Sequence, residues 1–102
     1  MQIKKLYDFK CQVCQITIQT KLGHYAEGAH IKPLGKPHNG DDNPDNLICL
    51  CPNHHIMFDK GVFSITDKLK LIGALSGELI INSNHKLNFS NLQYHRQIHG
   101  FK

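Results

Sequence analysis

The chain has 102 residues, 40% of them hydrophobic and 20% charged, which is the balance of one folded domain rather than of a disordered segment. Its 12 lysine and arginine residues outnumber its 8 acidic residues, and the resulting charge of +4 suits a polyanionic partner without requiring one. No apolar run approaches the ~18 residues of a membrane span, and no signal peptide or glycine-rich phosphate loop is visible. We therefore expect no membrane association and a cytoplasmic location.

The predicted secondary structure combines short strands with two helices. Residues 1–10 are interpreted as a basic lead-in or the end of a linker. Alternating or apolar residues predict short strands at 16–20, 25–32, 46–51, 62–65, 69–72 and 78–81. Pro52 suits the first turn of a helix predicted over about 52–60, and Ser90 is the predicted cap of a second helix over 91–99.

Three of the four cysteines fall at positions that predict a metal centre. Cys11 and Cys14 form a C-x2-C pair, and Cys51 and His54 form a C-x2-H pair far downstream. Two close pairs separated by a long insert are typical of a closed tetrahedral zinc site, because an x2 spacing lets a tight turn present both ligands. The sequence therefore predicts a structural Zn²⁺ held by these four side chains, and its binding free energy would help to fold a small core.

Other interpretations of these residues stay open. The cysteines could form disulfides, although nothing in the sequence indicates export to an oxidising compartment. They could also be ordinary buried thiols, which is the preferred interpretation of Cys49. His55 competes with His54 as the zinc ligand, but we prefer His54 because C-x2-H mirrors C-x2-C.

A second group of polar residues flanks a long polar loop at 33–45, which in so small a domain is usually functional. His30 lies on the strand before this loop, and Asn46 opens the strand after it. In the following helix, His55 and Asp59 are four residues apart and therefore share one face. A histidine and a carboxylate on one face can hold a divalent cation such as Mg²⁺ or Mn²⁺, although Asp59 could instead serve only the end of the helix.

Three sequence motifs follow one another in the order found in a known protein family. They are Ala29-His30-Ile31, then Asn46, then Leu50-Cys51-Pro52-Asn53-His54-His55-Ile56-Met57-Phe58-Asp59-Lys60-Gly61. Together they resemble the HNH endonucleases, the ββα-metal finger family, over about residues 7–61. The stretch from Tyr25 to Gly61, with Pro37-His38-Asn39-Gly40 inside it, and the later Tyr94-His95-Arg96 resemble a narrower group. That group is the HNH domains C-terminal to modified-base readers (SRA/YDG domains) in modification-dependent restriction enzymes.

The resemblance implies an α+β fold, a small zinc-bound ββα-metal finger with extra short strands and a C-terminal helix. After the lead-in, we predict a zinc-stabilised HNH core at 11–61. We expect the strands and helix of 62–102 to pack on that core within a single domain.

The resemblance also implies a DNA endonuclease that uses one divalent ion, Mg²⁺ or another such as Mn²⁺ or Ni²⁺. His30 matches the general base that takes a proton from the attacking water. Asn46 matches the asparagine that orients this base or completes the site, and His55 matches a ligand of the catalytic metal, with Asp59 as a second ligand. The implied products carry a 5′-phosphate and a 3′-hydroxyl.

One position departs from the family pattern. Many members have a metal ligand just before the general base, where this chain has Ala29. Asp59 or, less strongly, Glu27 could replace that ligand. The rival interpretation is a catalytically inactive zinc module that binds nucleic acid or a protein partner.

The expected partner is DNA, with its phosphates contacted by Lys32, Lys36, His38 and Arg96. A modified-base reader domain in a full-length chain is a further expected partner. One active site cuts one strand, so a homodimer is one route to double-strand cleavage.

Overall fold

The structure, a computed structural model, describes residues 2–101. Its helices are α1 (Ile3–Leu6), α2 (Pro52–Asp59) and α3 (Phe89–Ile98), with a short 3-10 helix at Pro44–Asn46. Its strands are β1 (Ile18–Thr20), β2 (Gly23–Tyr25), β3 (Glu27–His30), β4 (Leu47–Leu50), β5 (Phe63–Ile65) and β6 (Leu71–Gly73). Within the described range, the strands pair as three antiparallel two-stranded sheets, β1–β2, β3–β4 and β5–β6. The α+β class predicted from the sequence is confirmed.

The β3–β4 sheet and α2 form the ββα unit. The register pairs Glu27 with Leu50 and His30 with Leu47. Apolar residues on these strands are buried with Phe58 of α2 in the main core, which fixes the helix against the sheet. The end of β3, the start of β4 and the first turn of α2 are thereby held in one framework.

A second, smaller core lies on the other side of this sheet. Ile3 and Tyr7 of the N-terminal segment pack there with Ala26 and Cys49. Residues 3–6, interpreted from the sequence as part of a lead-in, are therefore a packed helical turn in the structure. Cys49 is fully buried, as its interpretation as a core thiol predicts.

The C-terminal part packs on the ββα unit through polar as well as apolar contacts. Nε2 of His95 on α3 donates to the carbonyl oxygen of Phe58 on α2 at 2.9 Å, and Nδ1 of the same ring accepts from the Ser64 hydroxyl of β5 at 2.7 Å. The buried side chain of Gln12 donates to the carbonyl oxygen of Ile80 at 2.8 Å and accepts from the amide of Cys49 at 2.8 Å. Gln12 therefore joins the turn between Cys11 and Cys14 to both β4 and the C-terminal segment.

Several predicted elements have different bounds. The strand predicted at 25–32 is divided between β2 and β3, because residues 23–25 turn back along β1. The strand predicted at 69–72 is displaced to β6, since Leu69 has a φ of 63° in a turn. The segment 78–81 makes only an isolated bridge between Lys70 and Glu78. The Leu79 amide donates to the Leu69 carbonyl oxygen, and the Ile80 amide then turns away to the Gln12 carbonyl oxygen.

The helix predictions are close to the structure. α2 ends one residue before the predicted end, and Gly61 follows it with a φ of +75°. A Cβ on Gly61 would also lie 2.5 Å from Nδ1 of His99, so the close approach of α3 requires glycine there. The predicted cap of α3 is wrong by two residues, since Asn88 is the N-cap and its side chain accepts a hydrogen bond from the Ser90 amide. Within residues 2–101, no helix is long and apolar enough to cross a membrane.

Candidate metal centre and active site

The four predicted zinc ligands lie together. Ligand atoms of Cys11, Cys14, Cys51 and His54 are all within 4.8 Å of one another. The Cys14 and Cys51 sulfurs are 3.9 Å apart, and Nδ1 of His54 lies 3.3 Å from the Cys51 sulfur. Tetrahedral Zn²⁺ with its usual bond lengths separates two sulfurs by about 3.8 Å and a sulfur from a nitrogen by about 3.6 Å. The cluster therefore fits a zinc ion.

Local structure explains how the four side chains converge. The Gln15 amide donates to the Cys11 carbonyl oxygen at 2.8 Å, which closes the turn that carries both cysteines. Cys51 is the N-cap of α2, and His54 lies in the first turn of that helix. Desolvation and the neighbouring sulfurs raise the pKa of Cys14 to about 11. A bound cation would reverse this effect, because Zn²⁺ stabilises the thiolate form.

The second group of polar residues surrounds a different feature, an open cleft of about 380 Å³. His30 from the end of β3 and His55 and Asp59 from α2 all line this cleft. His54 and His55 point to different centres because neighbouring helical side chains diverge by about 100°. The structure brings His54, and not His55, to the cysteine sulfurs.

His30 is held by a partner that the sequence analysis missed. Nε2 of His30 lies 2.8 Å from Oδ1 of Asp42 in the 33–45 loop. The side chain of His30 is 29% exposed, and that of Asp42 is 73% exposed. A proton on Nε2 serves this contact and leaves Nδ1 free to accept. The only sequence signal for Asp42 is the acidic character of the loop, which does not single out one carboxylate.

Asn46 is fully buried and acts on the backbone. Its Oδ1 accepts from the Lys32 amide at 2.8 Å, and its Nδ2 donates to the Lys32 carbonyl oxygen at 2.9 Å. Nδ2 also donates to the Asp41 carbonyl oxygen at 2.7 Å. Asn46 thus ties the chain beyond His30 to the loop that carries Asp42. Its side-chain amide is thus occupied by backbone partners, and Asn46 is not among the residues that line the cleft.

His55 lies between two carboxylates. Its Nδ1 is 2.8 Å from Oε1 of Glu27, and its Nε2 is 3.2 Å from Oδ2 of Asp59. The other oxygen of Glu27 accepts from the Tyr25 hydroxyl at 2.6 Å. The bonds from Tyr25 and His55 lower the pKa of Glu27, and the same Tyr25 bond raises the pKa of the tyrosine hydroxyl.

The pair of His55 and Asp59 fits a divalent cation. Adjacent ligands of an octahedral ion at ~2.1 Å are about 3 Å apart, close to the 3.2 Å between Nε2 and Oδ2. Imidazole and carboxylate suit Mn²⁺ and related ions, and Mg²⁺ accepts one or two carboxylates and keeps several waters. The cleft leaves room for these waters and for a phosphate.

Ala29 does not open on the cleft. Its side chain is fully buried in the main core. A carboxylate there would have to be desolvated among apolar side chains, so the position could not supply an exposed ligand in this fold. The alanine at position 29 therefore does not remove a ligand from the cleft, because this position does not face it.

The predicted phosphate contacts differ in availability. Lys36 is exposed, whereas His38 bonds through Nδ1 to the Tyr94 hydroxyl, and Nζ of Lys32 lies 4.7 Å from the centre of the Tyr94 ring. Arg96 is engaged in structure. It donates to the Ile65 carbonyl oxygen at 2.9 Å and pairs with Asp67 at 3.0 Å, and its side chain is 13% exposed.

Two further histidines, His85 and His95, are buried. His85 donates from Nε2 to the Pro44 carbonyl oxygen at 2.8 Å and accepts from the Tyr7 hydroxyl at 2.6 Å. His95 donates from Nε2 to the Phe58 carbonyl oxygen at 2.9 Å. Burial lowers the pKa of His95 to about 4. Both rings connect separate segments of the chain, His85 behind the loop before Asn46 and His95 behind α2.

Comparison with known proteins identifies the family of this chain. A family model described as HNH endonuclease matches residues 11–66, more than half of the chain. The chain belongs to the HNH endonuclease family. The HNH chain is also similar to a solved structure titled "Modification dependent TagI restriction endonuclease", with 43% sequence identity and a TM-score of 0.85. No curated protein matches the chain significantly.

The structural match covers 94% of the HNH chain but 35% of the TagI chain, so the HNH chain spans about a third of that protein's length. The family and the ββα-finger fold that the sequence resemblance implied are confirmed, as is the closeness to an HNH domain of a restriction enzyme. The HNH chain is therefore a nuclease by family.

Proposed function

We propose that this chain is a DNA-cleaving domain that hydrolyses phosphodiester bonds with one divalent ion and a histidine general base. The observation that carries the proposal is that His30, His55 and Asp59 line one open cleft. The products would carry a 5′-phosphate and a 3′-hydroxyl.

His30 is the proposed general base. Its Nε2–H donates to Asp42, which leaves Nδ1 able to take a proton from water. The carboxylate also stabilises the imidazolium that forms once the proton has moved. Asn46 supports this step at a distance, because it joins the backbone after His30 to the loop that carries Asp42.

His55 and Asp59 are the proposed ligands of the catalytic ion, Mg²⁺ or another divalent ion such as Mn²⁺ or Ni²⁺. An ion bound by them would neutralise charge that develops on the phosphate and on the leaving 3′ oxygen. Cys11, Cys14, Cys51 and His54 are the proposed ligands of a separate structural zinc ion. We assign it no chemical step, because three thiolates and one imidazole complete a closed tetrahedral site.

We further propose that the domain serves a modification-dependent restriction enzyme. The similarity to the TagI structure supports this role. A reader domain for modified bases, a homodimer for double-strand cleavage and a cytoplasmic location stay predictions from the sequence.

The decisive experiment is a nicking assay on supercoiled plasmid with Mg²⁺, Mn²⁺ or Ni²⁺. We expect His30→Ala to lower the rate by about 10²–10⁴-fold, the range of general-base catalysis. Zinc content and thermal unfolding should stay at wild-type values. The matched control is His24→Ala, which removes an exposed histidine from β2 and should leave cleavage unchanged.

The rival function is a catalytically inactive zinc module. It predicts that the wild type cuts no faster than His30→Ala with any of the three ions while still binding DNA. That result would overturn the nuclease mechanism and leave the zinc centre intact.

A further inference from the structure

The environment of His55 contains a carboxylate that the proposed mechanism does not use. Glu27 opens β3, and His55 lies in the first turn of α2, 28 residues later. The bond from Nδ1 of His55 to Oε1 of Glu27, at 2.8 Å, therefore crosses from the sheet to the helix. Both side chains are about a quarter exposed, so this contact is shielded more than a surface ion pair.

Hydrogen-bond accounting assigns the proton in this contact. A carboxylate can only accept, and both oxygens of Glu27 are in use, one by the Tyr25 hydroxyl and one by Nδ1 of His55. A metal binds the neutral form of imidazole, which has one N–H, and the bond to Glu27 places that N–H on Nδ1. Nε2 is left with its lone pair, the form that binds a metal.

The opposite side of the ring shows why this matters. Nε2 of His55 faces Oδ2 of Asp59 at 3.2 Å. Two acceptors at this distance repel each other unless a proton or a cation lies with them. With the proton held on Nδ1 by Glu27, the arrangement favours a cation shared by Nε2 and Oδ2.

We propose that Glu27 is a positioning residue for the catalytic ion, which holds His55 in the tautomer and orientation that present Nε2 beside Asp59, and that Tyr25 in turn holds Glu27. The proposal rests on the proposed function and gives Glu27 a role other than direct ligation. Glu27 contacts Nδ1 of His55 and Asp59 contacts Nε2, so the two carboxylates are on opposite sides of the imidazole. Partners of this kind are typically worth 10–100-fold in metal affinity.

The first measurement is a titration of Mn²⁺ into the zinc-loaded protein without DNA, in which electron paramagnetic resonance reports the concentration of free Mn²⁺. We expect Glu27→Ala to weaken binding by about 10–100-fold. Glu27→Gln should stay within about fivefold of wild type, because its amide oxygen can still accept from Nδ1. Tyr25→Phe should weaken binding less than Glu27→Ala. Zinc content and unfolding temperature verify that each variant is folded.

Glu78→Ala is the matched control, because it removes one exposed carboxylate and changes the net charge equally. It should bind Mn²⁺ as the wild type does. Equal binding by Glu27→Ala and wild type would overturn the proposal. An equal loss in Glu27→Gln and Glu27→Ala would also overturn it, since a direct ligand would behave in that way.

A second measurement reads the tautomer itself. Long-range ¹H–¹⁵N spectra of the zinc-loaded protein without Mg²⁺, at a pH where the ring is neutral, should show His55 protonated on Nδ1 in the wild type and in Glu27→Gln. Glu27→Ala should lose this signature. If the wild type neither binds Mn²⁺ nor nicks plasmid, the proposed function fails and this role fails with it. If the wild type does both and the Glu27 variants bind Mn²⁺ as well as the wild type does, the nuclease mechanism stands and the proposed role of Glu27 is wrong.

Discussion

His54 and His55 are neighbours in the first turn of α2, yet they belong to regions of opposite character. His54 joins three sulfurs in a compact cluster whose ligand atoms lie within 4.8 Å of one another. His55 joins two carboxylates at the edge of an open cleft. Soft sulfur ligands in a closed set suit a structural ion, whereas oxygen and imidazole beside open space suit an ion that must also meet substrate. One helical turn thus carries a proposed zinc ligand on one face and a proposed ligand of the catalytic ion on the other.

The largest expected effect comes from substituting one of the cysteines in the proposed zinc site. Cys11→Ser should lose the zinc ion and with it the folded state, because structural zinc contributes about 10–16 kcal/mol in zinc fingers, while whole domains are stable by about 5–15 kcal/mol. Elemental analysis and circular dichroism check this. The control is Cys49→Ala, which also changes a buried cysteine but should keep the zinc. Full zinc content and wild-type unfolding in Cys11→Ser would refute the structural role.

The two neighbouring histidines should separate folding from cleavage. We expect His54→Ala to lose zinc and unfold at a lower temperature. His55→Ala should keep both its zinc and its unfolding temperature but lose plasmid nicking by about 100-fold or more, since outer partners of a metal ligand alone are worth 10–100-fold. Zinc content, thermal unfolding and nicking are measured on both. Loss of zinc in His55→Ala would show that the two assignments are exchanged.

A smaller effect is expected from His95, which lies behind α2. Its pKa is lowered to about 4 in the folded state by burial, against an ordinary value of 6.5. As the pH falls from 6.5 towards 4, the unfolded chain binds a proton that the folded chain does not, so the free energy of unfolding decreases by about 3 kcal/mol.

Denaturant unfolding across this pH range measures the effect of His95. The comparison is with His95→Gln, which lacks the titrating ring but keeps an amide donor and acceptor. Protonation of the zinc ligands affects both proteins and cancels in the difference. Parallel pH dependences of wild type and variant would contradict the prediction.

The smallest effect concerns DNA contacts near the cleft. Lys36 is exposed on the loop, so Lys36→Gln should reduce the slope of log affinity against log salt by about 0.9. Binding is measured in the His30→Ala background to avoid cleavage. Lys86→Gln, a change of equal charge at another exposed lysine, is the control. An equal change of slope in both variants would mean that Lys36 has no specific place on the DNA.

Much of the zinc region could be predicted because its information is local. An x2 spacing constrains one turn of chain, so Cys11, Cys14, Cys51 and His54 could be grouped before their positions were known. The pair of His55 and Asp59 followed in the same way from helical periodicity. Residue type and short spacing were sufficient in both cases.

The partners of the proposed catalytic histidines could not be predicted, because they come from distant parts of the chain. Asp42 reaches His30 from a loop without periodicity, and Glu27 reaches His55 across 28 residues. Strand alternation puts Glu27 and Ala29 on one face of β3, but their exposure differs, since Ala29 lies in the core while Glu27 is partly exposed.

By itself, the sequence indicated the family through its resemblance and predicted the zinc ligands and the residues of the proposed chemistry, since these depend on residue identity and short spacings. Only the tertiary structure decided what each imidazole nitrogen faces. Asn46 closes the loop that brings Asp42 within hydrogen-bond distance of His30. The packing of α2 on β3 brings Glu27 within hydrogen-bond distance of His55. The physical reason is that a hydrogen bond requires atoms about 2.8 Å apart, and contacts between distant segments reach that distance only when the core holds the backbone in place.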